Sequence, residues 1–426
     1  MPRNAVIAQS GGPSPVINCS LQGVIEASRT FPGTFGKLYG ARHGIEGVLR
    51  EELIDLNIQD DREIALLSTT PAAGAVGTCR YKLRAERPED FERVIEVFKA
   101  HDIGYFFYNG GNDSMDTAHK ISCLANERGL DLTAVGIPKT VDNDLGDPEF
   151  SLIDHTPGYG SAARFWAYSI QNMNEENRGS MTSDPVLVLQ VMGRSIGFLP
   201  AAVRLGDPER RMPLQIYMAE SGLSLDDICD NVNDELKTSG RCIVVISEGF
   251  PVGDIGARQD AFGHVEFEAS DRTAQQVVTK HLNDKGLPAK GFARGQVAGT
   301  LQRATSIHAS TVDMSEAYEV GQKAVRIAVE DGDGYMSTIQ RTEDASYKAY
   351  FGKVSLEKIA NSERSFPQHW LSDNRIDVND EFIEYASPLI GDEWPIIPIE
   401  NGIQRFARLK PVLAEQKCRK YNLNNS

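Results

Sequence analysis

The segment Pro138-Lys139-Thr140-Val141-Asp142-Asn143-Asp144 places an ammonium, a hydroxyl and two carboxylates within seven residues. In an extended chain, residues two apart point the same way, so Thr140, Asp142 and Asp144 are expected on one side. A carboxylate pair can divide labour, one as general base and the other positioning a hydroxyl or a metal. Lys139 adds positive charge for phosphoryl oxygens. An Asx-rich turn is the plainer alternative. The apolar run ahead of the segment and the Lys-Thr pair favour chemistry.

Two glycine turns have the composition of phosphate cradles: Ser10-Gly11-Gly12-Pro13-Ser14-Pro15 and Gly110-Gly111-Asn112-Asp113-Ser114. Glycine lets the backbone approach a phosphate closely, and a following helix offers free N–H groups and a positive dipole end. Neither turn is a GxGxxG or Walker-type motif, which argues against a dinucleotide-binding oxidoreductase. Asp113 is out of place beside a phosphate unless a cation or a lysine lies between them. Its alternative is to act with Ser114 as a helix N-cap. Further polar groups follow strand-like runs or sit in Gly-bordered segments: Arg80 in the 74–80 stretch, Met192-Gly193-Arg194, Ser247-Glu248-Gly249, Arg294 and Gln302-Arg303. Arginine forks bind phosphate bidentately, so several of them at strand ends point to a local anion site.

The elements that must hold these groups can be read from apolar runs at 5–9, 103–108, 132–137, 186–191 and 242–246. Runs of this kind suit strands buried on both faces of a parallel sheet. Helical patterns follow the first two glycine turns, from about 17 to 29 and about 114 to 128. The alternation predicts an α/β fold with mostly parallel sheets, whose ligands lie beyond the strands' carboxyl ends. A break near 147–157 divides the chain into an N-terminal lobe, 1–155, and a second lobe, 156–302. Residues 303–426 are expected to return to the first lobe and then extend, irregular after about 346, over the core.

Composition narrows the classes. The chain has 426 residues, 44 Lys plus Arg against 60 Asp plus Glu, and a net charge of −16. That acidity argues against a nucleic-acid partner and an anionic membrane surface. No apolar run reaches the roughly 20 residues of a membrane helix. The first residues lead directly into a strand-like run with no leader pattern, and the six scattered cysteines contain no CxxC pair. A cytoplasmic protein with reduced thiols is expected.

The ordered set SGG, GGNDS, PKTVDND, MGR, SEG and LQR resembles the phosphofructokinase family, from about residue 5 to about 326. Within the family the chain is similar to the pyrophosphate-dependent enzymes. The resemblance implies two Rossmann-like lobes, a C-terminal extension, and phosphoryl transfer from pyrophosphate to fructose 6-phosphate with Mg²⁺. It implies that Asp142 is the general base, completed by Thr140 and Asp144, with Lys139 and Arg194 neutralising charge. Met192, Gly193, Arg194 and Glu248 would hold the sugar; Arg303, the residue at Thr300 and a neighbouring subunit's Arg294 would hold its remote end. Gly11, Gly12, Arg80, Gly111, Asp113, Ser114 and Lys139 would line the donor side. A homo-oligomer, dimer or tetramer, is implied as well. In ATP-using relatives, glycines typically match Asp113 and Lys139, so these side chains imply a donor shorter than ATP. Thr117 and Arg42 are expected to crowd out the nucleoside too.

Three positions depart from the family's pattern. Asn112 stands where a metal-linked Asp is usual, Pro185 where a basic residue is frequent, and Thr300 where a His or Tyr is common. Arg178 or Arg204 is expected to substitute at the acceptor's remote end. The alternatives are a different phosphorylated or acidic sugar as acceptor, an ATP-dependent kinase of the same fold, and a catalytically silent regulatory subunit.

Overall fold

The computed structural model describes residues 1–71, 74–259, 265–344, 346–360 and 362–423. In chain order the strands are β1 (Arg3–Gln9), β2 (Phe35–Ala41), β3 (Leu53–Asp55), β4 (Ile103–Gly110), β5 (Thr133–Pro138), β6 (Val186–Val191) and β7 (Leu214–Tyr217). They continue as β8 (Cys242–Ser247), β9 (Arg258–Gln259), β10 (Val265–Glu266), β11 (Ala293–Val297), β12 (Tyr335–Arg341) and β13 (Ala349–Ser355). The first lobe carries a seven-stranded sheet ordered β13-β12-β5-β4-β1-β2-β3. Its inner strands run parallel, with antiparallel β13 and β3 at the edges. The second lobe carries a four-stranded, all-parallel sheet, β11-β6-β8-β7.

The apolar runs are these sheets' central strands. Nearly every residue of β1, β4, β5, β6 and β8 is buried, because helices cover both faces. The helix Ile17–Arg29 follows the SGG turn and Asn112–Glu127 follows the second glycine turn. Both turns, the loop after β5, and the loops after β6 and β8 stand at carboxyl strand ends. The two lobes present these ends to one shared cleft.

The expectation of an irregular tail needs correcting at its start, where Ala349–Ser355 pair along the whole of β12 as edge strand β13. Beyond β13 the tail is built into both lobes. Phe366, Trp370, Phe382 and Leu389 sit in the second lobe's core beside Phe198. Further on, the Ala414 N–H donates to Leu53 O (2.8 Å) and Tyr421 Oη to Asp90 (2.5 Å) in the first lobe. Each buried aromatic of this kind contributes roughly 1.5–3 kcal/mol relative to exposure, so the tail works as a strap. Among the described residues, no helix is long and apolar enough to cross a membrane.

Candidate active site

A cavity of about 990 Å³ opens between the lobes and is lined by every loop named above. Gly11, Gly12, Arg80, Gly111, Asn112, Asp113 and Ser114 line its first-lobe wall, and Lys139, Thr140, Asp142 and Asp144 line its floor. Met192, Arg194, Glu248 and Arg303 close the opposite side.

The SGG turn begins when β1 ends. Ser10 bridges to Cys79, and the Gly11 N–H donates to Cys79 O at 3.0 Å. Thr78 Oγ1 donates to Gly11 O at 2.9 Å, so the 74–80 stretch is laced to the turn and delivers Arg80 to the cleft. Gly12 leaves room for the Arg303 side chain: a Cβ there would lie 2.7 Å from a guanidinium nitrogen and push it aside.

Lys139 is the central charge. It is 5% exposed, and its Nζ donates to Gly12 O at 2.6 Å. Burial, and then the nearby Arg303, push its pKa from 10.5 down to about 7; Arg80 and Arg194 act the same way and Asp142 opposes them. Among the described residues, Arg303 Nε is buried without a hydrogen-bond partner. The cavity lining as a whole mixes acids and bases, but the cluster of Lys139 with Arg80, Arg194 and Arg303 is a local site suited to an anion.

The carboxylates share the floor, but not by strand alternation. Asn143 between them is left-handed (φ 58°), which turns both side chains into the cleft. The Asp142 N–H donates to Thr140 Oγ1 at 3.1 Å, and Asp142 lies 3.8 Å from Arg194 Nε. Burial, and then Asp142, raise the Asp144 pKa above the usual carboxylate range. Across the cleft, Glu248 Oε1 accepts from the Gly193 (3.1 Å) and Arg194 (2.9 Å) N–H groups. This fixes the strained turn where Gly193 and Arg194 both have positive φ. Met192 is set in the same way, its N–H donating to Gln302 Oε1 at 3.1 Å.

Asp113 and Ser114 do not cap their helix; the cap is Gly111, with no side-chain hydrogen bond. Asp113 instead pairs with Lys82 Nζ at 2.7 Å, the lysine that a carboxylate beside a phosphate site requires. Sequence reasoning missed Lys82, although its spacing of two from Arg80 in an extended stretch was a usable signal. It also missed Glu266 of β10, which lines the cavity and pairs with Arg80 at 3.2 Å.

Several expected residues lie elsewhere. Arg294 projects from edge strand β11, 69% exposed, and pairs with Asp184 at 2.5 Å. Thr300 is exposed and Pro185 precedes β6; neither lines the cavity. The expected substitutes fail within this chain. Arg204 is 1% exposed and locked to Asp207 and Asp377 (2.9 Å each), while Arg178 pairs with Glu175 outside the cleft. Thr117 is buried in its helix, its Oγ1 donating to Asp113 O at 2.9 Å, and Arg42 faces Glu52 at 4.0 Å. Of the four residues expected to exclude a nucleotide, only Asp113 and Lys139 line the cavity.

For a metal, Asn112 Oδ1 is buried at the cleft with no hydrogen-bond partner among the described residues, and Asp142 and Asp144 line the same cavity. Among the described residues, no three His, Cys, Asp or Glu side chains converge as a metal cage. This donor set fits Mg²⁺, which keeps waters and phosphate oxygens and takes few protein ligands.

The chain matches the phosphofructokinase family over residues 4–328 and belongs to it. It is 38% identical over 430 residues to the pyrophosphate–fructose 6-phosphate 1-phosphotransferase of Halomonas elongata, covering 99% of each chain. It is also similar to the crystal structure of the pyrophosphate-dependent phosphofructokinase from Nitrosospira multiformis. That match has a TM-score of 0.88 and 38% identity over 99% of this chain and 100% of that one. For the Marinobacter aquaeolei enzyme of the same description the TM-score is 0.86 and the identity 36%, with the same coverage.

Lys139 has a consequence for stability. Its folded pKa lies below its unfolded one, so between pH about 7 and 10.5 the unfolded chain binds a proton that the folded chain does not. Stability from this group therefore rises with pH through that window and is lowest below pH 7. In the ligand-free protein, Lys139→Met raises the melting temperature at pH 6, and the difference shrinks as pH approaches 10. A gap that stays constant across this range refutes the buried-charge account.

Proposed function

We propose that the protein transfers a phosphoryl group from pyrophosphate to the 1-hydroxyl of fructose 6-phosphate, reversibly, giving phosphate and fructose 1,6-bisphosphate. The observation that carries this is Lys139, buried among Arg80, Arg194 and Arg303 and on the same loop as Asp142 in the same cavity. Phosphoryl transfer asks a protein chiefly for positioning and charge neutralisation.

In this reading the glycine turns, Arg80 and Ser114 hold pyrophosphate, and its charge restores the proton that burial takes from Lys139. Asp142 accepts the proton of the sugar hydroxyl, with Thr140 and Asp144 orienting the loop. Lys139 and Arg194 neutralise charge developing on the transferred group. Glu248 presents Gly193 and Arg194 to the sugar, and Gln302 presents Met192. Asn112 and the Asp142–Asp144 loop would hold Mg²⁺, which would supply further charge neutralisation.

Donor binding belongs to lobe 1–155, sugar binding to 156–302, and 303–426 returns to the first lobe and extends. The acceptor's remote phosphate falls to Arg303 and, from a second copy of the chain, to Arg294, which its own cleft does not use. That supports a homo-oligomer, dimer or tetramer. The free thiols support a reducing, cytoplasmic setting.

The test is phosphate release with pyrophosphate, Mg²⁺ and an acceptor panel. Fructose 6-phosphate is expected to be the best acceptor, and turnover with none of them rejects the reading. A placed general base is worth about 10²–10⁴-fold, so Asp142→Ala is expected to lose kcat on that scale while keeping much of its substrate affinity. Near-normal kcat in that variant removes Asp142 from the base's role. For the donor, Asp113→Gly with Lys139→Gly is expected to make ATP a measurable substrate and to weaken pyrophosphate use. Undetectable ATP turnover with unchanged pyrophosphate kinetics contradicts selection by these two side chains.

A further inference from the structure

The C-terminal segment lies beyond the 4–328 stretch that matches the family, yet it reaches the loop that carries the two carboxylates. Asn143, fully buried, stands between Asp142 and Asp144 in the left-handed conformation. Its Oδ1 accepts from the Thr156 N–H at 3.1 Å. Its Nδ2 donates to Tyr385 Oη at 3.0 Å, and Tyr385 Oη donates to Asp154 O, also at 3.0 Å. One residue on, Asp144 O accepts from the Arg364 N–H at 2.8 Å.

The Arg364 side chain, 0% exposed, fills the turn that follows. Its guanidinium donates to Asp147 O (3.1 Å), to Asp154 O (2.7 Å) and to Ile153 O, and it stacks 4.0 Å over the Phe150 ring. Ile153 and Asp154 are buried in this irregular segment, where unpaired backbone groups are costly. Asparagine tolerates the left-handed region better than most residues, and hydrogen bonds to its side chain can pin it there. Tyr385 and Thr156 do so at the side chain, and Arg364 closes the loop behind it. Neither Tyr385 nor Arg364 lines the cleft.

We propose that Tyr385 is a positioning residue for the acceptor loop, acting with Arg364 to hold Asp142 and Asp144 toward the cleft. This rests on the assignment of Asp142 as base. Misplacing a reacting group by about 1 Å can cost 10²-fold in rate, so loosening the loop acts on the chemical step more than on binding.

The experiment uses the full-length protein and Tyr385→Phe, which keeps the ring contacts with Phe150 and Trp370 and removes only the hydroxyl. Its kcat is expected to fall about tenfold with both KM values within about twofold of wild type. The control is Tyr318→Phe. Tyr318 Oη donates to Glu26 at 2.6 Å between the helices Thr311–Glu330 and Ile17–Arg29, away from the loop, so this variant loses melting temperature and keeps kcat. In a double-mutant cycle, Tyr385→Phe is expected to add little to the loss in Asn143→Ala. Hydrogen–deuterium exchange of peptides spanning 138–157 is expected to rise in Tyr385→Phe and not in Tyr318→Phe.

An unchanged kcat, an additive cycle or unchanged exchange in Tyr385→Phe overturns the proposal. Exchange needs no turnover. A wild type inactive with pyrophosphate and fructose 6-phosphate would end the functional reading, and the exchange result would still decide the loop's anchor.

Discussion

One constraint organises the molecule: a lysine ammonium has to be kept out of water among three arginines. Lys139 follows the last residue of β5 and is covered by the turn after β1, whose Gly12 carbonyl receives it at 2.6 Å. Burial and like charge both work against its ionised form. Such a group lowers the stability of the empty protein and gains only when an anion arrives. The cleft is therefore preorganised at the expense of folding stability, as expected where donors must already point at developing charge. Two sheets with their carboxyl ends turned to a shared space provide the rigid frame that this arrangement needs.

The frame is closed by the tail. The family's matched region ends at 328, before either β12 or β13, yet β12 pairs with β5 beside the site and β13 completes that sheet's edge. Further on, Phe366, Trp370 and Phe382 enter the second lobe's core. Residues near 414–421 fasten to the first lobe. The acceptor loop runs between these anchors, so its geometry depends on residues more than 200 positions away in the chain.

Much of this was legible in the sequence. The buried strands, the helix Ile17–Arg29 and the glycine turns could be read because their signals are local: apolar runs, glycines and helical periodicity. The cleft's charged residues could be read because they follow strands. What was lost depended on orientation or distant pairing. Asp142 and Asp144 do share a side, but a left-handed Asn143 achieves it where alternation was expected. Thr117 matches a position that seemed to face a nucleoside, yet its hydroxyl turns back to its own helix. Arg204 looked like a spare cation, and only the fold brings Asp377 against it. Tyr385 carried no local signal at all.

Donor choice shows how far local side chains alone can decide chemistry. A carboxylate beside a phosphate cradle is repulsive in isolation, and Asp113 is tolerable there because Lys82 sits 2.7 Å from it. The pair is nearly neutral and fills space, so it obstructs a longer donor without spoiling the positive field around Lys139. A lone lysine at 113 would add charge and offer an extended polyphosphate another contact; a lone aspartate would repel every phosphate. With Thr117 and Arg42 turned away, the proposed exclusion of a nucleotide would rest on the Asp113–Lys82 pair and on Lys139. Lys139 contributes twice, since its ammonium end occupies space beside Gly11 and its charge suits a compact polyanion. In the proposed reading, selection for a short donor would require no separate specificity pocket: it would follow from where the cleft places one ion pair and one buried cation.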